Sequence, residues 1–250
     1  MILIRNLFDV YSYQARLIPA LWVLSLPIFN IVMWSPDLDR STDIYGLMLL
    51  AIIGGILVIL AHISRESGKK VEKRLFQSWG GNLTAQWLMH TNDTLEESTK
   101  NRYHSFLKDK IRGWYPPSAQ QERIDIKYSH DVYTSAVRWL REQTRDRTSY
   151  PLVFKENVSY GFRKNLLGMK PWGRLVAFIC LFSTSWHLCG TLSSSDGGHL
   201  LFDVILLMFN VIVILWWHRI VNDSWVKSSG KEYSRALLAA CDGHHLGQHA

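Results

Sequence analysis

The sequence is poor in cysteine, and its few cysteines are not arranged for a disulfide framework. There are three, Cys180, Cys189 and Cys241, and no pair has metal-binding or redox spacing. An odd count also argues against a set of structural disulfides. We therefore expect each cysteine to act as a small apolar side chain.

Recognisable catalytic motifs are missing as well. The chain has no glycine-rich nucleotide loop, no His-Glu-x-x-His helix and no nucleophile elbow. The tail contains Cys241, His244, His245 and His249, but their spacing matches no zinc pattern, and a disordered tail is the favoured interpretation. The sequence therefore predicts no enzyme, no cofactor and no metal site.

Lysine and arginine are absent from four long apolar segments, and Asp203 is the only carboxylate that any of them contains. A helix needs about 20 apolar residues to cross roughly 30 Å of hydrocarbon, and it satisfies its own backbone groups while doing so. We therefore predict an all-α integral membrane protein with four transmembrane helices in two hairpins. The four segments are Leu17–Trp34, Ile44–Ile63, Leu175–Leu192 and Leu200–Trp217.

The basic residues indicate how these helices are oriented. The stretch Arg65–Gly173 holds twenty Lys or Arg against twelve Asp or Glu, whereas the turn Ser193–His199 holds no Lys or Arg. Since basic loops stay in the cytoplasm, both termini and the middle stretch are predicted to be cytoplasmic. The predicted parts are a first hairpin within 1–64, a basic helical domain at 65–173, a second hairpin at 174–218 and a tail at 219–250.

Polar residues at membrane depth are the first candidate functional residues. Asn30, His62, His187, Asp203 and Asn210 lie within the predicted spans, and such residues often mark pathways for ions or protons. Asp203 and Asn210 are seven residues apart and therefore share a helix face. Two alternatives stay open: Asp203 lies close enough to the outer turn to act as a cap, and Asn210 is equally explained by an interhelical hydrogen bond.

Small residues predict close packing of the second span. Ala51 and Gly55 are four residues apart, with Gly54 beside them, and this spacing lets two helices approach closely. The partner is either another span of the chain or another subunit.

The basic stretch reads as mainly helical, with breaks at particular residues. Gly80 and Gly81 predict the end of a helix, and Thr94 with Glu97 predicts a capping box that opens another. Further expectations concern the rest of the stretch: a bend at Gly68, a brief strand from the alternation of Ile124, Ile126 and Tyr128, an amphipathic helix at Asp131–Arg145, a helix start at Pro151 and a helix end at Gly168.

Four arginines form the second candidate site. Arg138, Arg141 and Arg145 fall at helical spacing on one face, and Arg147 follows them. Guanidinium groups bind phosphate oxygens in bidentate fashion, so this face suits a nucleotide, an oligonucleotide or lipid headgroups. The alternative is a solvated helix face whose arginines pair with Glu142 and Asp146.

A second basic cluster lies just before the third span. Lys155, Arg163 and Lys164 stand beside Tyr160 and Phe162, and cations interleaved with aromatic rings suit a nucleic acid. Cations this close to a membrane span also attract anionic lipid. Lipid contact is the favoured interpretation of this cluster.

In the arrangement of its apolar segments around a basic domain, the chain resembles the small four-span pore-forming effectors of bacterial anti-phage systems. The resemblance covers Leu17–Ile63, Arg65–Gly173 and Leu175–Trp217 and assigns no role to an individual residue. It implies an oligomeric effector of the bacterial inner membrane, whose cytoplasmic domain senses a nucleotide, nucleic-acid or lipid signal. Four mostly uncharged spans give one subunit little polar lining, so such a pore needs a homo-oligomer.

The alternative hypothesis is a membrane-anchored scaffold that conducts nothing and recruits a protein or a lipid. The polar residues of the spans separate the two hypotheses. Convergence on an axis between subunits favours the pore, whereas pairing within one bundle favours the scaffold.

Overall fold

A computed structural model describes residues 10–34, 44–193 and 200–243. Within these residues the protein is helical, with short connecting turns and no strand. The helices, in chain order, are α1 (Val10–Trp34), α2 (Ile44–Trp79), α3 (Leu83–Leu88), α4 (Glu97–Lys110), α5 (Ala119–Ile124), α6 (Ile126–Gln143), α7 (Pro151–Ser193), α8 (Leu200–Arg219) and α9 (Asp223–Ala239), followed by a 3-10 turn at Ala240–Asp242.

Four of the helices are long and apolar enough to cross a membrane: α1, α2, α7 and α8. The prediction of an all-α chain with four such helices is confirmed. The second and third apolar segments are parts of longer helices, because α2 has 36 residues and α7 has 43. Helix α7 also begins at Pro151, as predicted, where a proline needs no hydrogen-bonded amide.

The chain forms two compact units. The apolar unit comprises Met1–Val71 and Gly161–Trp225, and the polar unit comprises Glu72–Tyr160 and Val226–Ala250. Helices α2 and α7 each contribute residues to both units.

Glycines mark a close helix crossing in the apolar unit. A Cβ at Gly168 would lie 2.7 Å from the carbonyl carbon of Ser67 and 2.8 Å from the backbone nitrogen of Gly68, so α2 and α7 meet backbone to backbone. The predicted helix end at Gly168 is therefore wrong, whereas the bend predicted at Gly68 stays a prediction. Both residues lie inside continuous helices, where they serve contact between helices instead of termination.

Helix α1 packs against α7 at a π-helical turn. Residues Tyr13–Leu17 form this turn, and the side-chain amide of Asn165 donates a hydrogen bond of 2.6 Å to the Ala15 carbonyl. A π-turn alters the regular hydrogen-bonding pattern of a helix, so its carbonyls are open to such partners.

Aromatic pairs join α1 to α8. Trp22 stacks on Trp216 with ring centroids 5.3 Å apart, and Phe29 meets Phe209 at 5.0 Å. These rings line an apolar groove of about 460 Å³.

The polar unit has a conventional apolar core. Its largest fully buried side chains come from α3, α4, α6 and α9 and include Leu88, Leu107, Tyr133, Leu140 and Leu237. The C-terminal segment takes part in this core, since Ala240 and Cys241 are buried in it. A disordered tail is therefore wrong for Cys241, while His244, His245 and His249 lie outside the described residues.

Two buried charges hold the turn that follows α3. The Glu122 carboxylate accepts hydrogen bonds from the backbone amides of His90 and Thr91 at 2.9 and 3.1 Å. The Lys100 ammonium donates to the carbonyl of Asn92 at 2.7 Å and to that of His90 at 3.3 Å. Both side chains are almost fully buried, so each charge is matched by backbone groups that would otherwise lack partners.

A histidine and a tyrosine complete this buried cluster. His104 bonds to the Leu88 carbonyl through Nε2 at 2.7 Å, and Tyr133 donates to Glu122 at 2.8 Å. Burial lowers the pKa of His104, and burial together with Glu122 raises the pKa of Tyr133. Both groups are therefore neutral at pH 7.

Three local predictions for the polar unit have clear outcomes. The helix end at Gly80 and Gly81 is confirmed. The strand at Ile124–Tyr128 is wrong, because Asp125 ends α5 and caps α6 by accepting from the Tyr128 amide. The capping box at Thr94 is also wrong, because α4 has Glu96 as its N-cap and makes no side-chain cap bond there.

Candidate functional site

Three buried polar side chains meet in the apolar unit, one from each of α1, α7 and α8. Thr184 donates to Asn30 Oδ1 at 2.9 Å, and Asn210 Nδ2 lies 3.2 Å from the same oxygen and 3.1 Å from Thr184 Oγ1. Asn30 is 2% exposed, and the other two are fully buried. We call Asn30, Thr184 and Asn210 the inner polar layer.

The inner polar layer satisfies its own hydrogen bonds. The Asn30 amide also donates to the Leu26 carbonyl at 2.9 Å, and the Asn210 amide donates to the Leu206 carbonyl at 3.0 Å. Each polar group thus has a partner within the bundle, which is what a polar residue between apolar helices requires.

A second polar cluster contains the buried carboxylate. Asp203 is 1% exposed and lies 3.0 Å from His187 Nδ1, and it also accepts a hydrogen bond of 2.8 Å from Thr191. Trp34 stacks on the His187 ring with centroids 5.4 Å apart. We call Trp34, His187, Thr191 and Asp203 the outer polar layer.

Helical spacing explains why the same three helices supply both layers. Thr184 and Thr191 are seven residues apart on α7, and Asp203 and Asn210 are seven apart on α8, so each pair shares a face. Seven residues of helix correspond to about 10 Å, which separates the two layers along the bundle.

The sequence identified Asn30, His187, Asp203 and Asn210, and the structure pairs each of them with a side chain of another helix in one bundle. Asp203 bonds to side chains of α7, and Asn210 makes the interhelical hydrogen bond that was its alternative explanation. His62 is different, because it is exposed on α2 and belongs to neither layer.

The small residues of α2 have no close neighbour in the part of the chain that the structure describes. A Cβ added at Gly54 or Gly55 would meet nothing within 4 Å, and Ala51 is exposed. The predicted packing against another span is therefore wrong for the described spans, and packing against another subunit stays a prediction.

The arginine face lies on α6 and just beyond it, in the polar unit. Arg138, Arg141 and Arg147 are exposed and form no hydrogen bond or ion pair with any described residue. Arg145 pairs with Glu142 at 2.6 Å. Asp146 does not pair with arginine as predicted; it accepts from Thr148 and Ser149.

These hydrogen bonds hold the pKa of the Asp146 carboxyl well below its usual range. Asp146 therefore stays charged and engaged in its own turn. Three arginines of the face are left as unneutralised cations, which is the arrangement that binding an anion requires.

The cluster predicted before the third span divides between the two units. Lys155 is exposed in the polar unit, whereas Arg163 and Lys164 belong to the apolar unit and are half-buried. Arg163 donates to the Trp225 carbonyl at 3.0 Å and lies over the Trp225 ring at 5.0 Å, so its charge already has a partner.

Sequence reasoning missed Thr184 and Thr191 as site residues. Their spacing with His187 along α7 was a usable signal, but threonine is common in apolar helices and gives little warning on its own. Within residues 10–34, 44–193 and 200–243, no group of three or more His, Cys, Asp or Glu is placed to hold a metal ion.

No family model matches the chain, and neither a curated protein nor a solved structure is significantly similar to it.

Proposed function

We propose that the chain is a multi-pass protein of a bacterial inner membrane that anchors a non-catalytic cytoplasmic unit, and that this unit recruits an anionic partner. In this proposal the four apolar helices span the membrane as two hairpins, with both termini and the arginine face in the cytoplasm. The inner polar layer is the observation that favours an anchor over a pore. Its side chains bond to one another, so among the described residues this layer offers no free polar group to line a pathway.

The composition of the loops supports the proposed orientation. Arg65–Gly173 carries a net charge of +8, whereas the sequence between α7 and α8 has no Lys or Arg. Basic segments near membrane spans are retained on the cytoplasmic side. A tag inserted near residue 120 should therefore be labelled only after the inner membrane is opened.

Recruitment rests on the three unpaired arginines. Full-length protein in neutral-lipid nanodiscs should bind an anionic probe, and we propose testing an oligonucleotide, an acidic peptide and anionic vesicles. The variant R138Q/R141Q/R147Q should weaken the best probe at least tenfold and flatten its dependence on salt, because fewer counterions are then displaced.

The chain offers a matched control for this variant. Arg102, Arg145 and Arg235 already pair with Asp242, Glu142 and Glu232. The variant R102Q/R145Q/R235Q removes the same charge from ion pairs and should weaken binding less than threefold. Equal losses in the two variants would show general charge attraction, and unchanged binding in both would refute recruitment by the arginine face.

A signal-gated homo-oligomeric pore, the function implied by the anti-phage resemblance, is the second candidate. The observation that favours it is His62, a polar residue that is exposed on α2 about two helical turns beyond the unpacked Gly54 and Gly55. In an oligomer these residues would face another copy or a shared pathway. Liposomes containing the protein should then leak ions when an anionic signal is added, and H62A should change the rate of that leak. Liposomes that stay sealed under all conditions would exclude the pore.

A further inference from the structure

A small cleft in the polar unit lies at the arginine face. Aromatic rings from α2, α7 and α9 form its walls, and Arg141 of α6 is the only cation that lines it among the described residues. The complete lining is Phe76, Trp79, Asn82, Leu83, Thr84, Val137, Arg141, Tyr160, Gly230, Tyr233 and Ser234. We call it the Arg141 cleft.

The polar groups of the cleft favour an anion. No Asp or Glu occurs among the described residues that line it, so nothing inside it neutralises Arg141. The Asn82 Oδ1 atom is held by the backbone amides of Thr84 and Ala85 at 2.9 and 3.4 Å. This fixes the side chain and leaves its amide NH₂ group as a donor that bonds to no described residue.

The two aliphatic hydroxyl groups of the lining are already engaged. Thr84 Oγ1 lies 2.8 Å from Ser234 Oγ, which donates to the Gly230 carbonyl at 2.9 Å. Both are buried and hold α3 against α9. Arg141 and Asn82 therefore offer a guanidinium and an amide as binding groups, with Lys227 close by over the Trp79 ring at 5.8 Å.

The size of the cleft selects among anions. Its free volume is about 30 Å³. One water-sized atom needs about 10–15 Å³ on this scale, so two oxygen atoms fit and a nucleobase or a sugar does not. A phosphodiester carries an ester on each side and cannot enter end-on, whereas a carboxylate at the tip of a flexible side chain can.

We propose that the Arg141 cleft receives one Asp or Glu side chain from an acidic segment of a partner protein. The carboxylate forms a bidentate pair with Arg141 and accepts from the Asn82 amide, while Arg138 and Arg147 attract the rest of the acidic segment. The proposal rests on the recruitment function above and names the class of its partner.

The test uses full-length protein in neutral-lipid nanodiscs and a fluorescent peptide of alternating glutamate and glycine. R141Q should weaken the peptide about tenfold, whereas R145Q, two residues beyond the end of the same helix and already paired with Glu142, should weaken it less than twofold. The neutral variant G230A should also weaken binding, because its Cβ would lie 3.1 Å from Leu83 Cδ1 and narrow the cleft. Unfolding midpoints of all variants check that each one folds.

Competition separates the proposed partner from other anions. The peptide should bind more tightly than an oligonucleotide of equal charge or anionic vesicles, and only its binding should depend on G230A. Equal effects of R141Q and R145Q, or tighter binding of the oligonucleotide than of the peptide, would overturn the carboxylate site. Recruitment by the arginine face would still stand if R138Q/R141Q/R147Q weakens binding of the best probe at least tenfold. Insensitivity of every probe to that triple variant would overturn both proposals.

Discussion

The two units of the chain differ in the kind of side chain that each buries against its own surface type. The apolar unit is apolar on its outside, and inside it polar contacts such as those of the inner polar layer join α1, α7 and α8 beside the aromatic pairs. The polar unit has a charged surface and an apolar core built around residues such as Leu140. Burying apolar side chains is favourable when the surroundings are water, as for the polar unit. Between helices with apolar surroundings that driving force is missing, so hydrogen bonds and close packing contribute instead.

The largest expected effect is in the polar unit, where burial of apolar surface drives folding. Leu140→Ala should lower the free energy of unfolding by about 2–5 kcal/mol, because Leu140 is fully buried and its loss leaves a cavity. Denaturant unfolding of the full-length protein in detergent measures this. Leu152→Ala, at a site that is 57% exposed, should cost less than about 0.5 kcal/mol; similar losses would contradict the assigned core.

The glycine crossing gives the next largest effect, in the apolar unit. Gly168→Ala should destabilise by about 1–3 kcal/mol, because the added Cβ collides with the backbone of α2. Gly190→Ala on the same helix meets nothing within 4 Å and should stabilise by up to about 1 kcal/mol, as alanine suits a helix better. Effects of the same sign in both variants would argue against the crossing.

Acid should weaken the polar unit through His104. Its pKa is lowered by burial in the folded protein, so between pH 6.5 and that lower value the unfolded chain binds the extra proton. Stability is therefore lost as pH falls through this window, by at most about 1.4 kcal/mol per pH unit for one proton. Unfolding midpoints across this range should depend less on pH in His104→Gln; identical slopes would assign the effect elsewhere.

The smallest effect is expected for the inner polar layer itself. Asn210→Leu should cost about 0.6 kcal/mol and no more than about 1.7, because polar contacts between membrane helices are individually modest. A double-mutant cycle with Asn30→Leu isolates their coupling. A loss as large as that of Leu140→Ala would break the comparison between the units, since polar contacts would then supply stability as well as specificity.

The sequence was sufficient for the four apolar helices, because a long segment without charge has few other structures open to it. The sequence was insufficient where one residue type or pattern is compatible with two different local structures. Glycine is typical of helix ends and bends, yet Gly68 and Gly168 lie where α2 and α7 are in contact. No local sequence pattern reveals a contact between residues so distant in the chain. Three alternating residues from Ile124 suggested a strand, but the caps supplied by Ser118 and Asp125 decide for helices.

The candidate sites show the same limit. Asn30, Asp203 and Asn210 stand out in sequence because they are polar among apolar neighbours. Their partners Thr184 and Thr191 do not, since threonine is tolerated in such helices without any role. The sequence did not reveal that Arg141 is unpaired, because pairing depends on side-chain geometry. Glu142 pairs with Arg145, and Asp146 accepts hydrogen bonds within its own loop.

The long separation between partners in the inner polar layer has a consequence for biosynthesis. Asn30 is made 154 residues before Thr184 and 180 before Asn210. At roughly 5–20 residues per second, the proposed first hairpin would wait in lipid on the order of ten to thirty seconds with the side-chain oxygen of Asn30 unmatched, while its amide donates to Leu26. Assembly in the cell would then need a temporary host for Asn30, such as the insertion machinery or a trapped water, until the second hairpin arrives.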